Sequence, residues 1–331
     1  MKLQSSRCLA SLVVVALAFG ACGGGATQSP AGTTSGATPT PAAEKLSIGQ
    51  VTISATDDAM NQVSNGSKAR ATELGWDYTF IDPNGKVDQA NAAIENLVAK
   101  KVDAIIVNVW TAAELGAGLA AARDAGIPVI SIGSPLAPGL AATYDIGLGQ
   151  PVWDRMFQDL GPNGIVLNLT YHPGGPCHSR ADTVDAMAAK NPGMEVTNHE
   201  FPIPGFAEDS LAATNAWLAS NPKSDRPMGI FNCFDGNALG AISALKENNR
   251  LDVFTYAFNG TGPALQAIQE GTMTASEWFD WVGTGRDAVD LIAEVRAAGS
   301  SWQPKTLESV HTVVDKSTIE QFLKDHPDAL K

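Results

Sequence analysis

The chain has 331 residues, 44% of them apolar and 17% charged, with 32 glycines, 19 prolines and four cysteines. So much apolar material excludes a wholly disordered chain, so few cysteines exclude a disulfide-dense miniprotein, and the length suggests about two domains. Lys and Arg number 22 against 35 Asp and Glu, a formal charge of −13; this repels phosphate backbones and offers no polybasic patch, so nucleic acid is not an expected partner.

Lys2 and Arg7 give the chain a basic start. The apolar run over 9–19 that follows is too short to span a bilayer and predicts a secretory signal peptide over 1–21. The run ends LAFGAC, which places Cys22 directly after Gly20 and Ala21 and resembles the lipobox of bacterial lipoproteins, with Phe19 where that family usually has Leu. The resemblance implies cleavage before Cys22 and lipidation of its thiol; the alternative is an ordinary signal peptide with an incidental cysteine. Residues 23–44, GGGATQSPAGTTSGATPTPAAE, carry one charge and almost nothing that could form a core, so 22–44 are expected to be the lipidated cysteine and a flexible tether. No later stretch reaches the roughly 18 apolar residues of a transmembrane helix. The expectation is a body of charge near −15, held by a lipid at the outer face of the cytoplasmic membrane or in the periplasm and touching the membrane only there.

The body alternates strand and helix. A β-rich run over 46–54 precedes a helix over 61–74 that stops at Gly75, and a strand over 76–81 is closed by DPNG. A helix over 88–100 leads to VDAIIVNV (102–109), whose unbroken apolar middle predicts a strand covered on both faces. A helix over 112–125, a stop at Gly126 and a strand over 127–133 complete the first series. The pattern begins again with strands over 164–171, 194–201, 228–234, 253–258 and 274–279. Such a series builds right-handed crossovers and a parallel sheet, so the predicted fold is α/β with two doubly wound lobes. Ligands of such sheets bind beyond the carboxyl ends of the strands, which for two facing lobes means a cleft.

The segments GSKARATELGW, VDAIIVNVWTA, AARDAGIPVISIG, DGNALGAISALK and AFNGTGPALQAIQEGTMTAS occur in order over about 46–331. Together they resemble the periplasmic sugar-binding proteins of ABC importers, the ribose and galactose type of class I substrate-binding protein. The resemblance implies a periplasmic binding protein type I fold with a three-strand hinge. Lobe one would comprise 45–144 plus 281–304, and lobe two 145–280 plus 305–331. It further implies a monomer that captures a small neutral sugar or polyol and delivers it to an ABC import permease. Repressors that share this fold carry an amino-terminal helix-turn-helix, where this chain has an export signal. A lipoprotein that presents its ligand to a membrane sensor is the alternative.

Sugar recognition needs polar side chains that satisfy buried hydroxyls and aromatic rings against apolar ring faces. The resemblance places these positions in lobe one at Asp57 and Asp58, at Trp110 and Thr111, and at Gly133 and Ser134. In lobe two it places them at His178, Arg180, Phe206, Phe234, Asp235 and Asn259, with Phe279 and Asp280 near the last crossing. Several positions depart from the ribose-type pattern. Gly133 and Ser134 replace an Asp-Arg pair, Ala59 and Met60 replace two Phe, Phe234 and Phe279 replace amides, and His178 stands near the place of an Arg. An aromatic, less charged pocket follows, suited to a polyol, a deoxy or reduced sugar, or a ligand with a larger apolar face.

Other readings of these residues stay open. Asp58, Thr111 and Asp235 could simply cap the helices that follow them, and Trp278 and Trp281 could be core or hinge packing. Arg180 lies near a helix start, where the dipole disfavours a lone cation, which points to pairing with a ligand or a carboxylate. Cys8 leaves with the leader and Cys22 is spoken for, so Cys177 and Cys233 remain in an oxidising compartment. They lie just beyond the first and third strands of lobe two, neighbours in a 2-1-3 sheet, so a disulfide is expected and two free thiols are the alternative. There is no GxxxxGK[ST], GxSxG, HExxH or CxxC, and the five histidines show no metal spacing. Cys177 beside His178 could suggest a thiol nucleophile, but adjacent residues rarely aim at one atom. No enzyme activity, cofactor or metal is expected.

Overall fold

The computed structural model describes residues 45–146 and 149–330; the signal peptide, Cys22 and the tether expected over 22–44 lie outside the described residues. β1 (Ser47–Val51) feeds α1 (Asp58–Glu73), whose start is fixed by Asp57, the carboxylate of which accepts the Met60 N–H at 3.0 Å. β2 (Asp77–Ile81) and α2 (Val87–Ala99) follow, then β3 (Ala104–Asn108), buried at every position as its apolar run requires. α3 (Gly116–Asp124) leads to β4 (Val129–Ile132) and β5 (Ala142–Asp145). The second series runs α4 (Gln150–Leu160), β6 (Ile165–Thr170), α5 (Gly175–Lys190), β7 (Glu195–Glu200) and α6 (Phe206–Ser220). It continues with β8 (Met228–Asn232), α7 (Asp235–Glu247), β9 (Phe254–Asn259), α8 (Gly262–Glu270) and β10 (Ala275–Phe279). α9 (Trp281–Ala298), β11 (Lys305–Glu308), β12 (His311–Asp315) and α10 (Ile319–Asp325) close the chain.

The strands form two six-stranded sheets, ordered β11-β5-β4-β3-β1-β2 and β12-β10-β9-β8-β6-β7. All pairings are parallel except that of β12 with β10. These are the two doubly wound lobes that the sequence predicts. In each, the first strand of the series sits between the second and the third, so β6 lies beside β8 and brings their carboxyl ends together.

The chain passes between the sheets three times among the described residues: after β5, after β10 and after β11. The last pass corrects an expectation. The resemblance places 305–308 in lobe two, but Lys305–Glu308 pairs in parallel with Ala142–Asp145 of lobe one, and the crossing falls between Glu308 and His311. The segment KTLE is four residues long and alternately half-buried and exposed, so it lacks the apolar run that marks a strand in sequence. Backbone pairing with β5 holds it, extended by the Ser309 N–H donating to the Asp145 carbonyl at 3.2 Å, and Leu307 packs against the lobe-one core.

α9 returns to lobe one by packing directly on α1. A Cβ on Gly285 would collide with the Val63 carbonyl, and one on Gly66 with the Val282 carbonyl, so the two backbones touch only because both residues lack one. Ser67 Oγ adds a hydrogen bond to the Gly285 carbonyl at 3.1 Å. This contact anchors the start of α9 at the hinge, where Trp281 Nε1 donates to the carbonyl of Asn259 at 2.8 Å and ties the returning chain to the end of β9.

Candidate functional site

The carboxyl ends of both sheets meet around a cavity between the lobes. Lobe one contributes Ile53, Ser54, Asp57, Met60, Val109 and Ile146; lobe two contributes Tyr171, Pro176, Cys177, Arg180, Ile203, Phe206, Phe234 and Asn259. A larger hollow lies at the opposite end of lobe one among Leu46, Trp76, Ile127 and Trp302. It sits at the amino ends of the strands and holds none of the predicted site residues. The interlobe cavity is the candidate site because charged side chains converge there.

The lobes are closed over it. The Gly175 N–H donates to the Val109 carbonyl at 3.1 Å, from the amino end of α5 to the carboxyl end of β3. Val109 has φ 73°, a left-handed conformation that a β-branched residue adopts only when its surroundings impose it. Gly174, at φ 108°, lets this loop pass within 3.3 to 3.5 Å of Val109, Ile53 and Tyr171, measured from where a Cβ would stand.

Arg180 is the central group. It is 2% exposed, its Nη1 donates to the Cys233 carbonyl at 2.7 Å, and its guanidinium lies 4.1 Å over the Phe258 ring. Its Nε and Nη2 have no hydrogen-bond partner. Burial pulls its pKa down to about 10, opposed by the carboxylates of Glu277, Asp235, Asp57 and Asp145, so it stays charged at neutral pH. A buried cation with two free donors beside a cavity is set to receive acceptor oxygens from whatever occupies that cavity.

Two carboxyl groups are also displaced from their ordinary values. Burial raises Asp57 to about 6, against the Met60 N–H that favours its charged form. Burial raises Asp235 to about 7, although Ser276 Oγ at 2.7 Å, the Thr261 N–H at 2.7 Å and Thr261 Oγ1 at 3.0 Å all donate to it. Asp235 does not line the cavity. It lies behind it and ties the ends of β8, β9 and β10 together, which fixes the turn after Asn259, a residue held at φ 105°.

Of the predicted site residues, the structure therefore gathers Asp57, Arg180, Phe206, Phe234 and Asn259 at one cavity. Others lie elsewhere. Asp58 is exposed on the first turn of α1. Trp110 is 1% exposed in the core of lobe one, its Nε1 donating to the Thr52 carbonyl at 2.9 Å. Thr111 is closed on Glu114 in a turn ahead of α3, so it neither meets the cavity nor caps that helix. Ser134 lines a side hollow with Asp145 and Pro176, and its carbonyl accepts from Thr143. His178 is 53% exposed on the outer face of α5, beside His172 and Asp182. Phe279 is fully buried between Trp281 and His311, and Asp280 caps α9 through the Gly283 N–H at 2.8 Å. Trp278 is 9% exposed against Phe322 and His326, and so packs as weighed.

The wall residues that sequence reading missed include the apolar Ile53, Val109, Ile146, Tyr171 and Ile203, together with the polar Ser54. Four of them are the first or second residue past a strand. The rule that finds polar ligand groups at strand ends would have found them too, had it been applied regardless of side-chain type.

The profile of the periplasmic binding protein domain matches residues 48–300, most of the chain. The chain belongs to the periplasmic binding protein family. As a member, it is 28% identical over 240 residues to the xylitol-binding protein of Mycolicibacterium smegmatis, a match covering 70% of this chain and 64% of that one. The ribose import binding protein of Haemophilus influenzae is 26% identical over 65% of this chain and 73% of its own length. An ABC transporter solute-binding protein from Agrobacterium vitis, solved with bound allitol, superposes with a TM-score of 0.78 at 22% identity, covering 86% of this chain and 99% of that one.

The raised pKa of Asp235 has a direct consequence. Its carboxyl is protonated in both states below about pH 4, but between about pH 4 and about pH 7 only the folded state keeps the proton. Its contribution to stability is thus complete at pH 4 and is lost as the pH rises to 7. Urea unfolding of the parent and of Asp235→Asn across this range should differ by a slope of about one proton, with the parent gaining stability on acidification. Parallel curves would show that Asp235 is ionised throughout.

Proposed function

We propose that the protein is an extracytoplasmic solute-binding lipoprotein that captures a small neutral sugar or polyol between its lobes and delivers it to an ABC import permease. The observation that carries this reading is the pair of unpartnered nitrogens on buried Arg180, in a closed cavity shared with Asp57 and Asn259. Neutrality follows from the electrostatics. Four carboxylates already act on the guanidinium, so a ligand supplies oxygen lone pairs and need not supply charge. Xylitol and ribose, named for the two relatives, are of this class.

The anchor and the partner rest on sequence. Cys22 after Gly20 and Ala21, followed by a Gly-, Thr- and Pro-rich stretch, supports a lipid anchor, and the family supports delivery by a monomer to a permease. The second lobe has its own staple: Cys177 and Cys233 have Cα atoms 5.1 Å apart, inside the range of a disulfide. That bond would join the start of α5 to the end of β8, the two elements that position Arg180 and Phe234. Peptide mapping of the exported protein without reductant should recover the two cysteines in one linked peptide; two alkylatable thiols would contradict it.

Calorimetry against pentoses, hexoses and their polyols tests the reading as a whole. At least one should bind with saturable heat, and Arg180→Ala should weaken it by about tenfold to a hundredfold, the loss expected when buried hydroxyls lose a charged donor. If none binds, or if Arg180→Ala binds as tightly as the parent, the reading fails.

A further inference from the structure

The cavity's polar groups are few and grouped. Asn259 ends β9, Arg180 packs over Phe258 of the same strand, and Asp57 lies within electrostatic reach of Arg180. Ser54 also faces the cavity, but its hydroxyl is already paired with Thr56 at 2.7 Å. In the second sheet β9 is next to the hinge strand β10, and β8, β6 and β7 follow outward. The side chains after these outer strands are Phe234, Tyr171, Ile203 and Phe206. They form one apolar wall, with Phe206 and Phe234 4.9 Å apart edge to face, Phe234 5.6 Å from Phe201, and Tyr171 stacked on Phe201 at 5.9 Å. The only hydroxyl on that wall is the phenol of Tyr171.

Each buried hydroxyl of a ligand needs a partner, or its desolvation is uncompensated. Arg180 Nε and Nη2, the Asp57 carboxyl and the Asn259 amide can partner hydroxyls only where they are grouped. A pentitol or hexose carries hydroxyls along its whole length and would bury those at its far end against Phe206, Phe234 and Ile203.

Resting on the binding role proposed above, we infer that the ligand is amphipathic: a short run of hydroxyls held by Arg180, Asp57 and Asn259, joined to an apolar end, such as a deoxy carbon, a methyl group or a thioether, that packs on the aromatic wall. The feature that makes a fully hydroxylated sugar a poor fit is the same one that makes this ligand a good one.

Titration calorimetry of the full exported chain with matched pairs tests this: ribose against 5-deoxyribose and 5-methylthioribose, and xylitol against 1-deoxyxylitol. The substituted member of each pair should bind at least about tenfold tighter than its parent. Phe206→Gln, at a half-buried position, places an amide on the wall and should narrow that gap about tenfold, with circular dichroism showing that the variant is folded. Parents that bind as tightly as the substituted members, or more tightly, overturn the inference and leave the sugar-binding role intact. Absence of binding by every member overturns both.

Discussion

A guanidinium removed from water is costly unless its donors are met, and Arg180 meets that condition only in part. One nitrogen is held by the Cys233 carbonyl and the ring of Phe258 covers one face, yet two buried nitrogens remain without partners. The surrounding architecture serves to keep this group charged and aimed. Glu277, on the hinge strand, and Asp235, beneath the cavity, act on it electrostatically without touching it, and the Cα atoms of Cys177 and Cys233 stand 5.1 Å apart between α5 and the end of β8. The price of holding a cation there is recovered when a ligand offers oxygen lone pairs.

The same economy explains why the cavity lies between two lobes. Polar groups at the ends of parallel strands are easy to place but hard to dry, since an open cleft leaves them to water. Closure makes the enclosure: Val109 is forced to positive φ so that its carbonyl accepts the Gly175 N–H, and Gly174 lets the loop approach. A ligand that touches both faces favours the shut arrangement by its differential affinity for it. The tight α1–α9 contact makes lobe one a rigid partner in this motion, because two glycines leave no side chain to yield between the helices.

The fold was legible because its decisive strands are buried on both faces and read as apolar runs, as AIIVN and IVLNLT do. β11 was not legible, for KTLE has no pattern of its own and gains its role from β5. The site was half legible. Position after a strand end identified the right loops, but direction within a loop is set by local geometry that sequence hides. Asp57 and Asp58 are adjacent, and only the capping residue turns toward the cavity. His178 and Arg180 are two apart on a helix, about 200° around its axis, so one that faces the cavity sends the other to solvent. Trp110 follows a residue with positive φ and is carried into the core. The apolar wall went unread because attention fell on groups that form hydrogen bonds, although here the groups that form none shape the cavity as much.

A crystal structure of the complex with any ligand that binds decides whether Arg180 anchors the ligand. Ligand oxygens are expected within about 3 Å of Arg180 Nε or Nη2, carbon atoms against Phe206 and Phe234, and the Gly175–Val109 hydrogen bond closed above them. Ligand density in the lobe-one hollow beside Trp76 and Trp302, or a pose that leaves both Arg180 nitrogens unpaired, would contradict it.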